Sequence, residues 1–120
     1  MTASPQYTEY IFELLQPIGR MSMRRMFGGV GISYGAVHFA IIMGNSLYFT
    51  VDDSTREKFE KAGMHPFSYV TKKGRIFVRS YFELPEDVLN DAESLRLWAI
   101  ESINIADKKK KPKRSRSEKV

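Results

Sequence analysis

From Met26 to Val51 the chain alternates large apolar residues with polar or small ones: Val30, Ile32 and Tyr34, then Val37, Phe39 and Ile41, then Leu47, Phe49 and Val51. Successive side chains on a pleated strand point to opposite faces, so a period of two predicts strands with one buried face. The pattern is interrupted at Tyr34-Gly35 and Gly44-Asn45. Both pairs supply residues that tolerate positive φ where a tight hairpin needs them. Turns this short force antiparallel pairing, and three strands in a meander are expected.

Helical signals flank the meander. Ser4-Pro5 reads as an N-cap followed by proline at the first helical position, and Tyr7, Tyr10, Ile11, Leu14 and Leu15 recur at helical spacing until Pro17 and Gly19. Asp53 or Ser54 is placed to cap a second helix through Ala62, with Ser54 and Glu57 at capping-box spacing and Gly63 as its stop. Only Phe59 and Ala62 give that helix an apolar face, so a peripheral position is expected. Phe67 to Thr71 and Arg75 to Phe82 are strand-like runs around Lys73-Gly74, a second hairpin with a basic tip. After Pro85, residues 86 to 89 make a turn of helix. Asp91 then caps a final helix whose Leu95, Trp98, Ala99, Ile103 and Ala106 share one stripe with the small Ser102. The order α-β-β-β-α-β-β-α predicts an α+β fold, a two-layer antiparallel sheet with its helices largely on one face.

The chain has 120 residues, enough for one domain. Its formal charge of +5 is unevenly placed. Residues 108 to 120 hold eight Lys or Arg and one Glu, whereas residues 1 to 107 hold eleven basic and thirteen acidic side chains. A mildly acidic body, 1–107, followed by a basic tail, 108–120, is the expected organisation, the tail being too charged and too poor in apolar residues to fold. The absence of cysteine excludes disulfides, thiolate metal sites and a cysteine nucleophile, and fits a reducing compartment. No apolar run approaches the roughly 18 residues of a membrane span, and Met1 to Pro5 lacks a secretory signal, so a cytoplasmic protein without membrane contact is expected.

Two segments carry a family resemblance: Arg24-Arg25-Met26-Phe27-Gly28-Gly29-Val30-Gly31-Ile32-Ser33-Tyr34-Gly35, and Ser80-Tyr81-Phe82-Glu83-Leu84-Pro85-Glu86-Asp87-Val88-Leu89. Together they resemble the TfoX N-terminal domain, a family named for regulators of natural transformation competence in bacteria. The resemblance runs from the region of Tyr10 to that of Ala106. It implies an α+β arrangement related to secretion-chaperone-like folds, a regulatory role, and an arginine of the Arg-Met-Phe-Gly-Gly run that buttresses the fold against a carboxylate such as Glu83. The named regulators usually carry a second, helix-hairpin-helix-like C-terminal domain that the family view associates with nucleic-acid contact, and a single-domain member without it is expected here.

Gly28, Gly29 and Gly31 do not make a phosphate loop, because no Lys-Ser or Lys-Thr follows and Tyr34 stands where a dinucleotide fingerprint needs glycine. Their ordinary role is to leave one strand face bare so that another backbone or a helix can approach. His38 and His65 have no Asp or Glu at metal-ligand spacing, and Ser33, Ser46 and Ser80 lack a nucleophile-elbow setting. Neither an enzyme nor a cofactor or metal site is expected.

The remaining candidates are basic. Lys108, Lys109, Lys110, Lys111, Lys113, Arg114, Arg116 and Lys119 form the first set, a nonspecific phosphate-neutralising tail. A secondary basic surface comprises Arg24 and Arg25, clustered with Arg20 just before the first strand, and Lys72, Lys73, Arg75 and Arg79, which interleave with Tyr69, Phe77 and Tyr81 on the second hairpin. The latter arrangement suits phosphates and stacked bases, and equally a strand surface kept soluble by lysine. The expected partners are nucleic acid through the tail, a protein of the transcription machinery through the body, and a second copy of the chain. An adaptor that grips a peptide along a sheet edge without touching nucleic acid is the alternative.

Overall fold

The computed structural model describes residues 4–26 and 28–110. The expected meander is present, with one strand more than the alternation predicts. Strands β1 (Met21–Met26), β2 (Gly29–Tyr34), β3 (Val37–Met43) and β4 (Ser46–Thr50) pair consecutively and antiparallel. Strands β5 (Pro66–Thr71) and β6 (Gly74–Glu83) form the second hairpin, and β6 joins β4, giving one six-stranded open sheet ordered β1-β2-β3-β4-β6-β5. Among the described residues four helices complete it: α1 (Pro5–Leu15), α2 (Asp53–Lys61), α3 (Glu86–Leu89) and α4 (Ala92–Lys110), with a short 3₁₀ turn at Gln16–Ile18. The fold is α+β, as its pattern predicts.

The additional strand, β1, is the sheet edge, and its middle residues are exposed. A strand bonded on one side only, reading Met-Ser-Met-Arg-Arg-Met, has no clean apolar alternation to betray it. Charges on such an edge discourage further strands from adding to it. Arg24 and Arg25 therefore lie within β1 rather than before the first strand.

A second departure lies in β3. Ser33 pairs with His38 while Ile32 pairs with Ala40, so one residue bulges at Phe39 and the facing pattern flips. Phe39, Ala40 and Ile42 all join the helix-side core, whereas Ile41, expected to share a face with Val37 and Phe39, pairs with Gly31 and Tyr48 on the opposite side. The helix-side core gathers Ile11 and Leu15 of α1, Phe59 of α2, and Leu95, Ala99, Ile103 and Ala106 of α4 against Ile32, Phe49 and Phe82. The stripe expected on α4 is thus the buried one. Ser102 is buried within it and donates to the Thr50 carbonyl oxygen at 3.0 Å, tying helix to sheet.

Neither expected cap, Asp53 or Ser54, is the N-cap: helix α2 starts two residues earlier than the Ser54–Glu57 spacing predicts. The N-cap is Asp52, whose carboxylate accepts from the backbone N–H groups of Ser54 and Thr55, and the box is closed by the Thr55 hydroxyl accepting from the Asp52 N–H at 3.1 Å. The Ser54 hydroxyl, with the burial of the site opposing it and the other bonds assisting, holds the Asp52 carboxyl below its usual range. Phe59 packs between Phe82 and Trp98, at ring separations of 6.1 and 5.0 Å, and fastens α2 to the sheet.

Candidate functional site

Only Tyr81, Phe82 and Glu83 of β6 pair with β4; the strand's first half pairs with β5 alone. The β5–β6 hairpin is consequently a two-stranded arm extending past the rest of the sheet. Its tip is pinned by the Thr71 hydroxyl, which accepts from the Lys73 N–H and donates to the Gly74 carbonyl oxygen. Register assigns the faces. Tyr69 is opposite Ile76, on the side where Phe67 meets Tyr48 ring-to-ring at 5.3 Å. Phe77, opposite Ser68, lies on the other side with Val70 and Arg75.

Both faces of the arm expose apolar surface: Val70 is 68%, Phe77 58%, Ile76 41% and Tyr69 36% exposed. Lys72, Lys73, Arg75 and Arg79 stand among them, and residues 66 to 82 contain no Asp or Glu. The rest of the body, residues 1 to 65 and 83 to 107, holds seven basic and thirteen acidic side chains. Positive charge is therefore concentrated on the arm. Arg75 donates to the Ser68 hydroxyl at 2.8 Å, and Arg79 pairs with Glu60 of α2 at 3.3 Å. That pair is largely solvated, so it holds Arg79 in place without consuming its field.

Helix α4 runs through Lys110, so Lys108, Lys109 and Lys110, expected in the tail, belong to it. Lys109 is a structural cation: its Nζ donates to the Val51 carbonyl oxygen at 2.8 Å. Burial lowers its pKa, Arg56 adding to that effect while Asp52 and Asp53 oppose it. The Val51 N–H in turn donates to the Ser80 carbonyl oxygen at 2.8 Å. Two hydrogen bonds thus connect the end of α4 to the base of the arm, placing together two basic features that are far apart in sequence. Lys111, Lys113, Arg114, Arg116 and Lys119 lie outside the described residues.

The first basic cluster does not assemble as expected. Arg24 pairs with Gly31 and shares its face, while Arg25 pairs with Val30 and points to the helix side, so the two arginines serve opposite surfaces. Among the described residues no ion pair joins either to Glu83. Between β1 and β6 lie β2, β3 and β4, and four steps at about 4.8 Å put Arg24 and Glu83 roughly 19 Å apart across the sheet. Arg24 instead acts on His38, whose pKa is lowered by burial and then by the arginine's charge. His38 Nδ1 is 2.9 Å from the Tyr81 hydroxyl, and its Nε2 is buried without a hydrogen-bond partner. His65 is exposed before β5, and Ser33, Ser46 and Ser80 lie on three different strands. No group of three or more His, Asp or Glu side chains among the described residues is placed to hold a metal.

Beside the exposed edge, Arg25 and Met23 of β1 and Val30 of β2 face Thr8 and Phe12 of α1 across a largely apolar groove of about 670 Å³. Among the described residues no helix is long and apolar enough to cross a membrane. The exposed apolar residues of the arm, Val70 and Ile76, carry no sequence signal of their own, since they read as ordinary strand formers.

The region 13–106 matches the TfoX N-terminal domain. Over 78 residues the chain is 32% identical to DNA transformation protein TfoX1 of Aliivibrio fischeri (strain ATCC 700601 / ES114). That alignment covers 65% of this chain and 37% of the relative. With a match across most of its described length, the chain belongs to the TfoX N-terminal domain family.

Proposed function

We propose that this protein is a non-enzymatic cytoplasmic regulator, linked to competence or transcription, that works by macromolecular contact; the family match and a relative named as a DNA transformation protein support this reading. Its basic C-terminal residues attract nucleic acid without sequence preference, and selectivity comes from the folded body or from a protein of the transcription machinery that the body binds. The observation that carries this reading is the connection of α4 to the base of the arm through Lys109, Val51 and Ser80. The chain leaves α4 beside a carboxylate-free basic hairpin, so both positive features can engage one polyanion.

The test keeps the full chain and neutralises Lys111, Lys113, Arg114, Arg116 and Lys119 to glutamine, sparing Lys109. Fluorescence anisotropy with labelled duplex DNA across a salt series should show weaker binding and a log–log salt slope shallower by up to about 4.5, at roughly 0.9 for each phosphate no longer neutralised. An unchanged affinity and slope would sink the electrostatic account. A second reading, an adaptor that docks a peptide or a second copy, is favoured by the apolar groove between α1 and the β1–β2 strands. Light scattering and partner binding that survive the same five substitutions would support it.

A further inference from the structure

We propose that the β5–β6 arm binds single-stranded nucleic acid, with Phe77 stacking on an unpaired base between the guanidinium groups of Arg75 and Arg79. This rests on the nucleic-acid reading above and adds a ligand class and a site to it. By register Arg75 and Phe77 share the face of β6 turned away from Tyr48, which is the helix side, and the Arg79 guanidinium reaches Glu60 of α2 on that same side. Two residues of strand advance about 6.6 Å, so a flat ring is flanked on both sides by a cation at that distance. A single strand offers the complementary alternation of flat bases and regularly spaced phosphates, whereas a duplex keeps its bases stacked inside and presents phosphate outward.

Three observations separate this from a merely charged surface. Phe77 is 58% exposed although it sits mid-strand, and among the described residues no helix covers it, α2 reaching only as far as Arg79. Tyr69 and Ile76 expose apolar surface on the opposite face, so a strand wrapped around the arm finds a stacking ring on each side. The arm has four cations and no carboxylate between residues 66 and 82, which calls for an anionic occupant. A second copy paired arm to arm would set eight such cations together, with only the two Arg79 side chains having a carboxylate, Glu60, beside them, so self-association through β5 is disfavoured.

The experiment uses the full chain and two fluorescein-labelled probes: an oligothymidylate of about 15 nucleotides, within the range such sites span, and a duplex hairpin. Phe77→Ala should weaken oligothymidylate binding by about 5- to 150-fold, the range for removal of one stacked base, with the salt slope and the duplex affinity unchanged. Lys72→Gln with Lys73→Gln should instead lower the single-strand slope by about 1.4, at roughly 0.7 per neutralised phosphate. Phe77→Trp should retain binding, and the emission it adds should be quenched by the oligonucleotide. Since Phe77 is exposed, circular dichroism should show all three variants folded.

If Phe77→Ala leaves oligothymidylate binding intact while neutralising the C-terminal cations abolishes it, the arm proposal is overturned and the tail-mediated function stands. Equal losses on both probes also overturn it, because the ring would then not be reading unpaired bases. If the parent chain binds neither probe at low salt, both readings fall. Phe77-dependent binding of polyglutamate in that case would reassign the arm to an acidic polypeptide.

Discussion

Replacing Gly29 and Gly31 by alanine, one at a time, measures how closely the strands of the meander approach. A Cβ at Gly29 would run into the backbone carbonyl oxygen of Ile42, with the Met43 methyl 3.1 Å away. A Cβ at Gly31 would meet side chains only, the Met26 sulfur at 2.5 Å and His38 Nε2 at 2.7 Å. A thioether swings aside through several rotatable bonds; a carbonyl oxygen moves only if β3 moves with it. Overpacking costs about 1–3 kcal/mol, and Gly29→Ala belongs at the upper end. Removing a glycine also narrows the unfolded ensemble, which returns about 0.4–1 kcal/mol. The net is a loss of about 2 kcal/mol for Gly29→Ala, or roughly 8 °C in Tm for a domain of this size. For Gly31→Ala, where the thioether yields but the His38 ring held at Tyr81 must shift as well, the two contributions leave about 1 kcal/mol. Urea unfolding followed through Trp98 reads both, since this sole tryptophan packs against Phe59 and under the Lys58 ammonium at 4.1 Å. Parent-like stability of Gly29→Ala, or a larger loss at Gly31, would refute the assignment of the backbone contact to Gly29.

Asp52→Ala removes the acceptor for two N–H groups at the start of α2 and should cost about 0.5–2 kcal/mol by urea unfolding at neutral pH. Because the Asp52 pKa is lowered in the fold, its stabilisation is present above the unfolded value of 3.8 and is lost as pH falls below it. The variant should therefore show a smaller acid-side loss than the parent. Tyr7 gives the opposite sign: burial, then Glu83 and Tyr10, push its pKa up to about 12, so the fold binds the proton more tightly than the unfolded chain does. Stability should fall as pH rises from 10 toward 12, and Tyr7→Phe should flatten that limb in pH-dependent thermal melts. The same change removes a buried hydroxyl with no hydrogen-bond partner, so it should be nearly neutral or stabilising at pH 7.

Much of the fold is legible because burial writes itself into short-range periodicity. The α4 stripe from Leu95 to Ala106 and the hairpins at Gly35 and Gly44, where φ is +59° and +61°, follow from local rules. The glycine alternation in β2 indicates close approach, though which neighbour approaches at each position is a property of the register. What escapes a local reading is set by context. β1 carries no apolar alternation because its middle residues stay exposed on both faces, and the pleat sends Arg24 and Arg25, adjacent in sequence, to opposite faces. The bulge at Phe39 is invisible locally, because inserting one residue into a ladder changes facing without changing composition.

The candidate site divides in the same way. Sequence alone determined that the β5–β6 hairpin is basic and aromatic, that the C-terminal residues are cationic, and that α+β is the class. Only the tertiary structure decided that β5 and β6 run past the sheet, which leaves Val70, Ile76 and Phe77 exposed rather than buried, and that Lys109 serves the Val51 carbonyl rather than a phosphate. The reason is physical. Residue type and spacing fix what a segment can bury, but whether a neighbouring strand or helix arrives to cover it depends on contacts between residues dozens of positions apart, which no local pattern records.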